Sequence, residues 1–444
     1  MTIARTICLG FLAVISFGTI LLILPFSTST GNWGNPLVAL FTTTSAVCVT
    51  GLVVVDTGTY FSFWGQAIIA LLIQIGGLGY MSTTTFLMLL LGRKFDLMQK
   101  FAIQESFDRP FLQGSQNLIV SIVATTLIFE ITGIFCMFPK FAADLGLDRG
   151  LWFAIFHSIS AWNNAGFGLL PDNLVKYQSS LIINLVITGL IIFGGIGYQV
   201  IIEMYFWLEN IIKKKKEKFG FSLNFKVVTN TTLILLVCGT IGFFFTELYN
   251  QGTFGSLSIK DKILAAWFQS VTSRTAGFNT VDIGKMTTAG LFITMGLMFV
   301  GASPSGTGGG IKTTTLRIIS NCTRAVLRGQ EEVNLYQRQV PVPLILKALA
   351  VVFGSAMTVI LGTILISFAD PKESLIKILF EVISAFATVG LSTGITASLS
   401  AFSQIILISI MYIGRVGVLL LIAALIGERH PSVIKYPEEN LLVG

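Results

Sequence analysis

Charge is scarce in this chain of 444 residues: Asp, Glu, Lys and Arg make up 11% of it, against 53% hydrophobic residues. Soluble domains carry about 25% charged residues, and a fold of this size has more surface than so few charges can cover. Histidine is scarcer still, limited to His157 and His430, which argues against a His-rich metal or acid–base centre. The five cysteines, Cys8, Cys48, Cys136, Cys238 and Cys322, are odd in number and far apart. They lack metal-ligand spacing and read as buried small apolar residues. These shortages exclude disulfide scaffolds, disordered chains and nucleic-acid binders. What remains is a polytopic membrane protein.

Long uncharged runs bear this out. They cover Thr6 to Val55, Thr57 to Gly92, Tyr177 to Ile202, Val227 to Thr246, Met286 to Ile311, Ala348 to Ala369 and Val382 to Gly414. A spanning helix needs about 20 apolar residues. The runs from Thr57 and from Val382 are too long for one span and too short for two with a loop, as expected of a span plus a re-entrant segment. The N-terminal run after Arg5 has no small-residue cleavage site and reads as a first spanning helix rather than a removed signal peptide.

Four segments repeat one pattern. Phe41 to Leu52, Phe156 to Phe167, Phe268 to Phe278 and Phe380 to Leu391 each run from Phe through a polar-interrupted stretch to Gly, then Leu or Phe; the third is one residue shorter. Their glycines, Gly51, Gly166, Gly277 and Gly390, recur at nearly even intervals. A second marker follows each inside the next apolar run, beginning at Gly76, Gly194, Gly301 and Gly414. The unit is span, short half-helix, polar glycine loop, span. The expected fold is therefore all-α and integral to the membrane, with four tandem span–pore-helix–span units and about eight spanning helices around a central pore. The units are residues 1–99, 100–220, 221–335 and 336–444, the last including a C-terminal tail.

Loops joining the units carry Arg93, Lys94, Lys100 and Arg109, then Lys213 to Lys216 with Lys218 and Lys226, then Arg317, Arg324, Arg328 and Arg338. Loops within units carry Asp56, Asp172, Asp282 and Asp370. The positive-inside rule then puts the joins and both termini in the cytoplasm, and the glycine loops enter from outside. The lysine run at 213–216 reads as a topology anchor.

Irregular backbone at membrane depth must be buried in protein or line a watery cavity. Four equivalent loops around one axis meet that condition by lining a pore. Glycine adopts positive φ without steric cost, and a ring of carbonyls can replace the hydration shell of a monovalent cation. Each half-helix would also direct its negative C-terminal end at the ion. The candidate ion-lining residues are Val49, Thr50 and Gly51; Asn164, Ala165 and Gly166; Thr275, Ala276 and Gly277; Thr388, Val389 and Gly390. Gly76, Gly79, Gly194 and Gly197 read instead as close-packing positions.

With these units, one glycine per loop and the C-terminal Tyr436-PEENLLVG, the chain resembles the Ktr/Trk superfamily of potassium transporters, and within it the membrane subunits of Ktr-type systems. The resemblance covers essentially the whole chain. It implies potassium uptake across the cell (inner, plasma) membrane, with potassium at Gly51, Gly166, Gly277 and Gly390 as the narrowest site. It also implies a homodimer, a cytoplasmic nucleotide-binding regulatory subunit as partner, and sodium as activator; no cofactor is expected in the chain itself.

Two departures from fourfold regularity suggest a gate. The third marker becomes Gly301-ASPSGTGGGIKTTT, with Pro304, Ser305, Gly306, Gly308, Gly309 and Gly310 before Lys312. Proline removes a donor, and each glycine costs a helix about 1 kcal/mol. A broken span below the glycine ring could obstruct the pore, and the resembling family has an intramembrane gating loop here. Lys312 does not directly follow a glycine, so this is not a phosphate loop. In the fourth unit Arg415 stands where Gly77 and Gly195 stand in the first two, and an intramembrane Arg is costly and a functional candidate. Arg274 lies inside the third loop; Glu381 on the fourth half-helix is its expected partner, the two forming a filter scaffold. Glu130, mid-span, has no evident partner, and His157 reads as a hydrogen-bonded scaffold residue. The alternatives are a sodium-coupled secondary cation transporter with alternating access, and a membrane-embedded enzyme. The first is disfavoured by four parallel repeats, the second by the lack of clustered catalytic side chains.

Overall fold

The computed structural model describes residues 3–79, 115–214 and 219–426. The boundary at 99/100, the cations Arg93, Lys94, Lys100, Arg109, Lys215, Lys216 and Lys218, His430 and the Tyr436 tail lie outside the described residues.

Four times the chain runs through a long outer helix, a shorter buried helix, an irregular loop and a further helix. The first set is α1 (Ile3–Ile23), α2 (Pro36–Val47), a one-turn α3 (Thr57–Tyr60) and α4 (Phe63–Leu78). The second is α5 (Ser115–Leu145), α6 (Leu147–Trp162), α7 (Leu181–Ile196) and α8 (Tyr198–Ile212). The third is α9 (Leu223–Glu247), α10 (Ile259–Thr272), α11 (Thr288–Phe299) and α12 (Thr313–Leu327). The fourth is α13 (Val342–Ala369), α14 (Leu375–Phe386), α15 (Ala401–Val416) and α16 (Val418–Ile426). A two-stranded hairpin, β1 (Asn334–Leu335) with β2 (Arg338–Gln339), joins the last two sets. The boundary anticipated at 335/336 falls at its turn, where Tyr336 and Gln337 have positive φ.

Helix starts are written locally. Asn35 caps α2 by accepting from the Leu37 N–H, with Pro36 at the first helical position. Ser62, Ser222, Ser258, Thr287 and Ser400 cap α4, α9, α10, α11 and α15 in the same way.

Among the described residues, Ala4–Ile23, Val120–Leu145, Leu223–Glu247 and Val342–Ala369 are long and apolar enough to cross a membrane singly, and the count reaches six if each bent pair is one span. Those pairs are α7 with α8, bent by 102°, and α15 with α16, bent by 93°. The outer helices present apolar side chains outward, such as Phe17, Phe135, Phe245 and Phe368, as a lipid-facing surface would. This corrects the reading of the cysteines. Cys8 and Cys48 are buried, but Cys136 and Cys238 are exposed on α5 and α9, where an outward position needs only an apolar side chain.

The second helices stop early for a specific reason. Gly79, Gly197 and Gly417 follow α4, α7 and α15 with φ of 79°, 91° and 93°, a positive-φ conformation open to glycine that leaves the helical path. Gly79 is thus a stop rather than the packing position expected, with open space around it, whereas Gly197 both stops its helix and packs, since a Cβ there would fall 2.4 Å from the Pro304 carbonyl oxygen. Gly76 and Gly194 do pack: a Cβ on them would fall 2.1 Å from the Val47 carbonyl oxygen and 1.9 Å from that of Trp162.

The sets close into a ring. α4 packs on α6, α7 on α10, α11 on α14, and α15 on α2, so the second helix of every set contacts the buried helix of the next. α1 meets α16, where the Arg5 Nε–H donates to the Ala424 carbonyl at 2.8 Å. Phe41, Phe156, Phe268 and Phe380, the aromatics that open the repeated segments, all lie at 0% exposure inside this ring.

Candidate functional site

The buried helices α2, α6, α10 and α14 end next to the four glycine loops, which share one unusual backbone. Gly51, Gly166, Gly277 and Gly390 have φ of 89°, 68°, 80° and 90°. Two residues before each, Val49, Asn164, Thr275 and Thr388 are also left-handed, with φ of 57°, 58°, 71° and 50°. L-residues rarely adopt this region, so four recurrences at one position mark a constrained geometry.

The glycines face one another in cyclic order. A Cβ on Gly51 would lie 2.3 Å from the Ala165 carbonyl oxygen, and one on Gly166 2.6 Å from that of Ala276. A Cβ on Gly277 would lie 2.3 Å from the Val389 oxygen, and one on Gly390 2.1 Å from that of Thr50. Each glycine therefore abuts the carbonyl that precedes the next, and the fourth returns to the first. All twelve candidate ion-lining residues belong to these four loops, and Val49, Thr50, Asn164, Ala165, Thr275, Ala276, Thr388 and Val389 are 0% exposed.

A hydroxyl braces every loop, a feature the repeat could have disclosed because each segment carries Ser or Thr at the corresponding place. Ser45 Oγ accepts from the Gly51 N–H and Ser384 Oγ from the Gly390 N–H, both at 3.0 Å. Ser160 Oγ donates to the Phe167 carbonyl at 2.8 Å, and Thr272 Oγ1 to that of Phe278 at 2.6 Å.

The anticipated Arg274–Glu381 pair does not form. Arg274 is 8% exposed and reaches back to the Gly301 carbonyl, at 3.5 Å. Glu381 instead gathers four donors from the stretch after Gly390: Ser392 Oγ at 2.7 Å, the Thr393 N–H at 2.9 Å, Thr393 Oγ1 at 3.3 Å and Thr396 Oγ1 at 2.8 Å. A buried carboxylate satisfied by hydrogen bonds needs no counter-ion. His157 Nδ1 lies 2.8 Å from the Phe153 carbonyl, in keeping with a scaffold residue.

In the third set the break after the second helix widens into residues 301–312, and these lie against the ring. Gly309 N–H donates to Thr388 Oγ1 at 3.0 Å, and a Cβ on Gly308 would fall 2.1 Å from Thr275 Oγ1. Gly310 faces Ala387. The segment is tied to the second set by Ser303 N–H to the Gly195 carbonyl at 3.0 Å and Thr307 N–H to that of Gly194 at 3.2 Å. Pro304 and Gly306 face Gly197, and the Tyr198 N–H donates to the Ser305 carbonyl. Lys312 Nζ donates to the Gly308 carbonyl at 2.8 Å. Arg415 donates from Nη1 to the Thr307 carbonyl and from Nη2 to that of Gly76, linking the segment to the fourth and first sets. On the far side of the segment from the ring opens a cavity of ≈1190 Å³, lined in part by Gly77, Thr307, Lys312 and Arg415.

Four glycine loops closed into one ring among long apolar helices, with an irregular segment packed against them, are the architecture of a polytopic membrane protein with a central site. The comparisons give the family. The model for TrkH, a cation transport protein, matches residues 9–432. Ktr system potassium uptake protein B of Bacillus subtilis is 39% identical over 99% of this chain and 96% of that protein. Its counterpart in Vibrio alginolyticus is 37% identical over 99% and 94%. Potassium/sodium uptake protein NtpJ of Enterococcus hirae is 35% identical over 99% and 97%. The crystal structure of the potassium transporter TrkH from Vibrio parahaemolyticus shares the fold, with a TM-score of 0.68 and 16% identity over 94% of this chain and 85% of that one. The chain belongs to the TrkH cation transport family, whose members are ion transporters and not enzymes.

Proposed function

We propose that this chain is the translocating subunit of a Ktr-type potassium uptake system in the cell membrane. The closed order of the four glycine loops carries the reading. Carbonyls that meet around one axis at the negative ends of four helices suit a small monovalent cation that must shed its water. The four units act as span, pore helix, loop and span, giving eight crossings with the second helices broken at depth. The twelve loop residues line the filter, and Gly51, Gly166, Gly277 and Gly390 hold potassium at its narrowest point. Residues 301–312 and Arg415 form the gate, which the tie of Arg415 to Thr307 and Gly76 supports. Glu381 and Arg274 are filter scaffold, each holding backbone rather than each other. Both termini and the basic joins face the cytoplasm, and the protein works as a homodimer on a cytoplasmic nucleotide-binding subunit, with sodium as activator. Parallel repeats around one axis do not favour alternating access, which is commonly built from inverted repeats.

The test is potassium and sodium flux into proteoliposomes, wild type beside Gly277→Ser. The added side chain must enter space 2.3 Å from the Val389 carbonyl at a positive φ, a conformation that costs an L-residue about 1–2 kcal/mol. The expected result is potassium-selective flux in the wild type and a lower potassium-to-sodium ratio in the variant, by about tenfold. An unchanged ratio with flux present would overturn the filter assignment.

A further inference from the structure

Glu130 is an acidic residue in the middle of a membrane-crossing helix, and nothing in the ion pathway described so far uses it. It sits on α5 at 5% exposure. An intramembrane carboxylate is expensive and is retained where it has work to do. Its neighbours come from two different units. Asn163 Nδ2 donates to Glu130 Oε1 at 3.3 Å and to Gln74 Oε1 at 2.9 Å, so that one amide bridges the two side chains. Ser158 Oγ, on α6, donates to the Glu130 backbone carbonyl at 2.6 Å. Gln74 belongs to α4 of the first unit, Glu130 and Asn163 to the second.

Asn163 is the hinge of this cluster. It is the C-cap of α6, the residue before left-handed Asn164, and it stands three positions ahead of Gly166. Its side chain is 0% exposed and packs so tightly on α4 that a Cβ on Gly77 would fall 1.9 Å from Asn163 Oδ1. The corresponding places in the other loops hold Cys48, Arg274 and Ala387. Only Arg274 among these reaches backbone outside its own loop, at Gly301. The second loop is thus fixed from behind by a different device, one that also locks it to the first unit.

We infer that Glu130, with Gln74 and Asn163, is a positioning residue for ion discrimination: the three side chains hold the second filter loop at the height where the Ala165 carbonyl completes the ring. The inference rests on the filter reading above. Removing the carboxyl leaves Asn163 Nδ2 to Gln74 Oε1 and the Ile159 carbonyl, both at 2.9 Å, and unties the loop from α5; a carbonyl displaced by a fraction of an ångström then serves the smaller sodium ion as well as potassium. An acceptor oxygen, rather than a charge, is what Asn163 requires of residue 130, so Glu130→Gln retains the function.

The experiment measures ion affinity without requiring transport. The purified full-length chain is titrated with potassium or sodium while its thermal unfolding midpoint is followed, because an ion that binds only the folded state stabilises it by an amount that rises with the logarithm of one plus its concentration over its Kd. Wild type, Glu130→Ala, Glu130→Gln, Gln74→Leu and Gly277→Ser are compared. Expected are a potassium-to-sodium affinity ratio about tenfold lower in Glu130→Ala and Gln74→Leu, a ratio within about twofold of wild type in Glu130→Gln, and a lowered ratio in Gly277→Ser. A merely structural role lowers the ion-free midpoint and leaves the ratio alone. An unchanged ratio in both Glu130→Ala and Gln74→Leu, with Gly277→Ser altered, overturns the inference and spares the filter. An unchanged ratio in Gly277→Ser overturns both. Should Glu130→Ala fail to fold, Gln74→Leu decides, since it loosens the same cluster from the other unit and leaves the carboxyl in place.

Discussion

Thr388 belongs at once to the ring and to the segment beneath it. Its backbone is left-handed at φ 50° in the fourth loop, and its Oγ1 accepts the Gly309 N–H at 3.0 Å. One buried hydrogen bond of this kind contributes about 0.5–1.5 kcal/mol, which is enough to shift a two-state segment by up to about tenfold. Thr388→Val keeps the shape and removes the acceptor, and so releases residues 301–312 from the ring. The expected outcome is a basal potassium flux about two- to tenfold above wild type in proteoliposomes, with Thr388→Ser close to wild type. A flux equal to wild type in Thr388→Val would mean that the hydroxyl does not hold the segment closed. At this scale the sequence exposes part of the site. The four glycines and the residues before them are legible because they repeat. The partners of Arg274 and Glu381 are not, because the path of the irregular segments decides which groups come within reach: Gly301 for Arg274, and residues 392–396 for Glu381 on its half-helix.

Among the elements, the buried half-helices are the most legible, since each ends at a glycine loop and starts at a capping residue or a charged turn. The breaks in the second helices are harder to read. Gly79 looks like a packing glycine in sequence, yet it only turns the chain at the end of α4, while Gly197 both turns it at the end of α7 and packs on Pro304; a one-dimensional pattern does not separate a glycine that packs from one that turns. Outside the membrane, Asp370 ties the end of α13 to the start of α15: its carboxylate accepts from Ser400 Oγ at 2.9 Å and from the Ser400 N–H at 3.2 Å. Partial burial pushes its pKa up, but the hydrogen bonds from Ser403 and Ser400 outweigh that and leave it below the usual carboxylate value. A carboxyl with a depressed folded-state pKa stabilises fully above its unfolded value and loses that contribution as the pH falls through the folded one. Asp370→Asn should therefore lower the unfolding midpoint at neutral pH by the equivalent of about 0.5–1 kcal/mol. The gap to wild type should close at pH values below the ordinary carboxylate range. A gap that persists undiminished in acid would show that shape, not charge, holds this corner.

For the whole molecule, the ring of helix sets and the sidedness of its charge together support the proposed orientation. Asp56, Asp172, Asp282 and Asp370 lie in connections within the units, whereas Lys213, Lys214, Arg317, Arg324, Arg328 and Arg338 lie at or near the joins between them. The half-helices start on the acidic side and end at the ring, while residues 301–312 and the cavity beyond them lie toward the basic side. On the proposed orientation, which follows the positive-inside rule, the loops open outward and the obstruction lies inward, and a regulator acting on the obstruction would reach it from the cytoplasm. Single cysteines test this in a Cys136→Ser, Cys238→Ser, Cys322→Ser background, as the remaining Cys8 and Cys48 are buried. Asp282→Cys gives up only an exposed pair with Lys285 and one helix cap, a loss of about 1 kcal/mol, and Lys214→Cys alters an exposed join. In intact cells a membrane-impermeant maleimide should label the cysteine at 282 and spare the one at 214 until the cells are permeabilised. The reverse pattern would place the obstruction and the basic joins outside, and a cytoplasmic regulator would then reach only the loops within the units and not the gate itself.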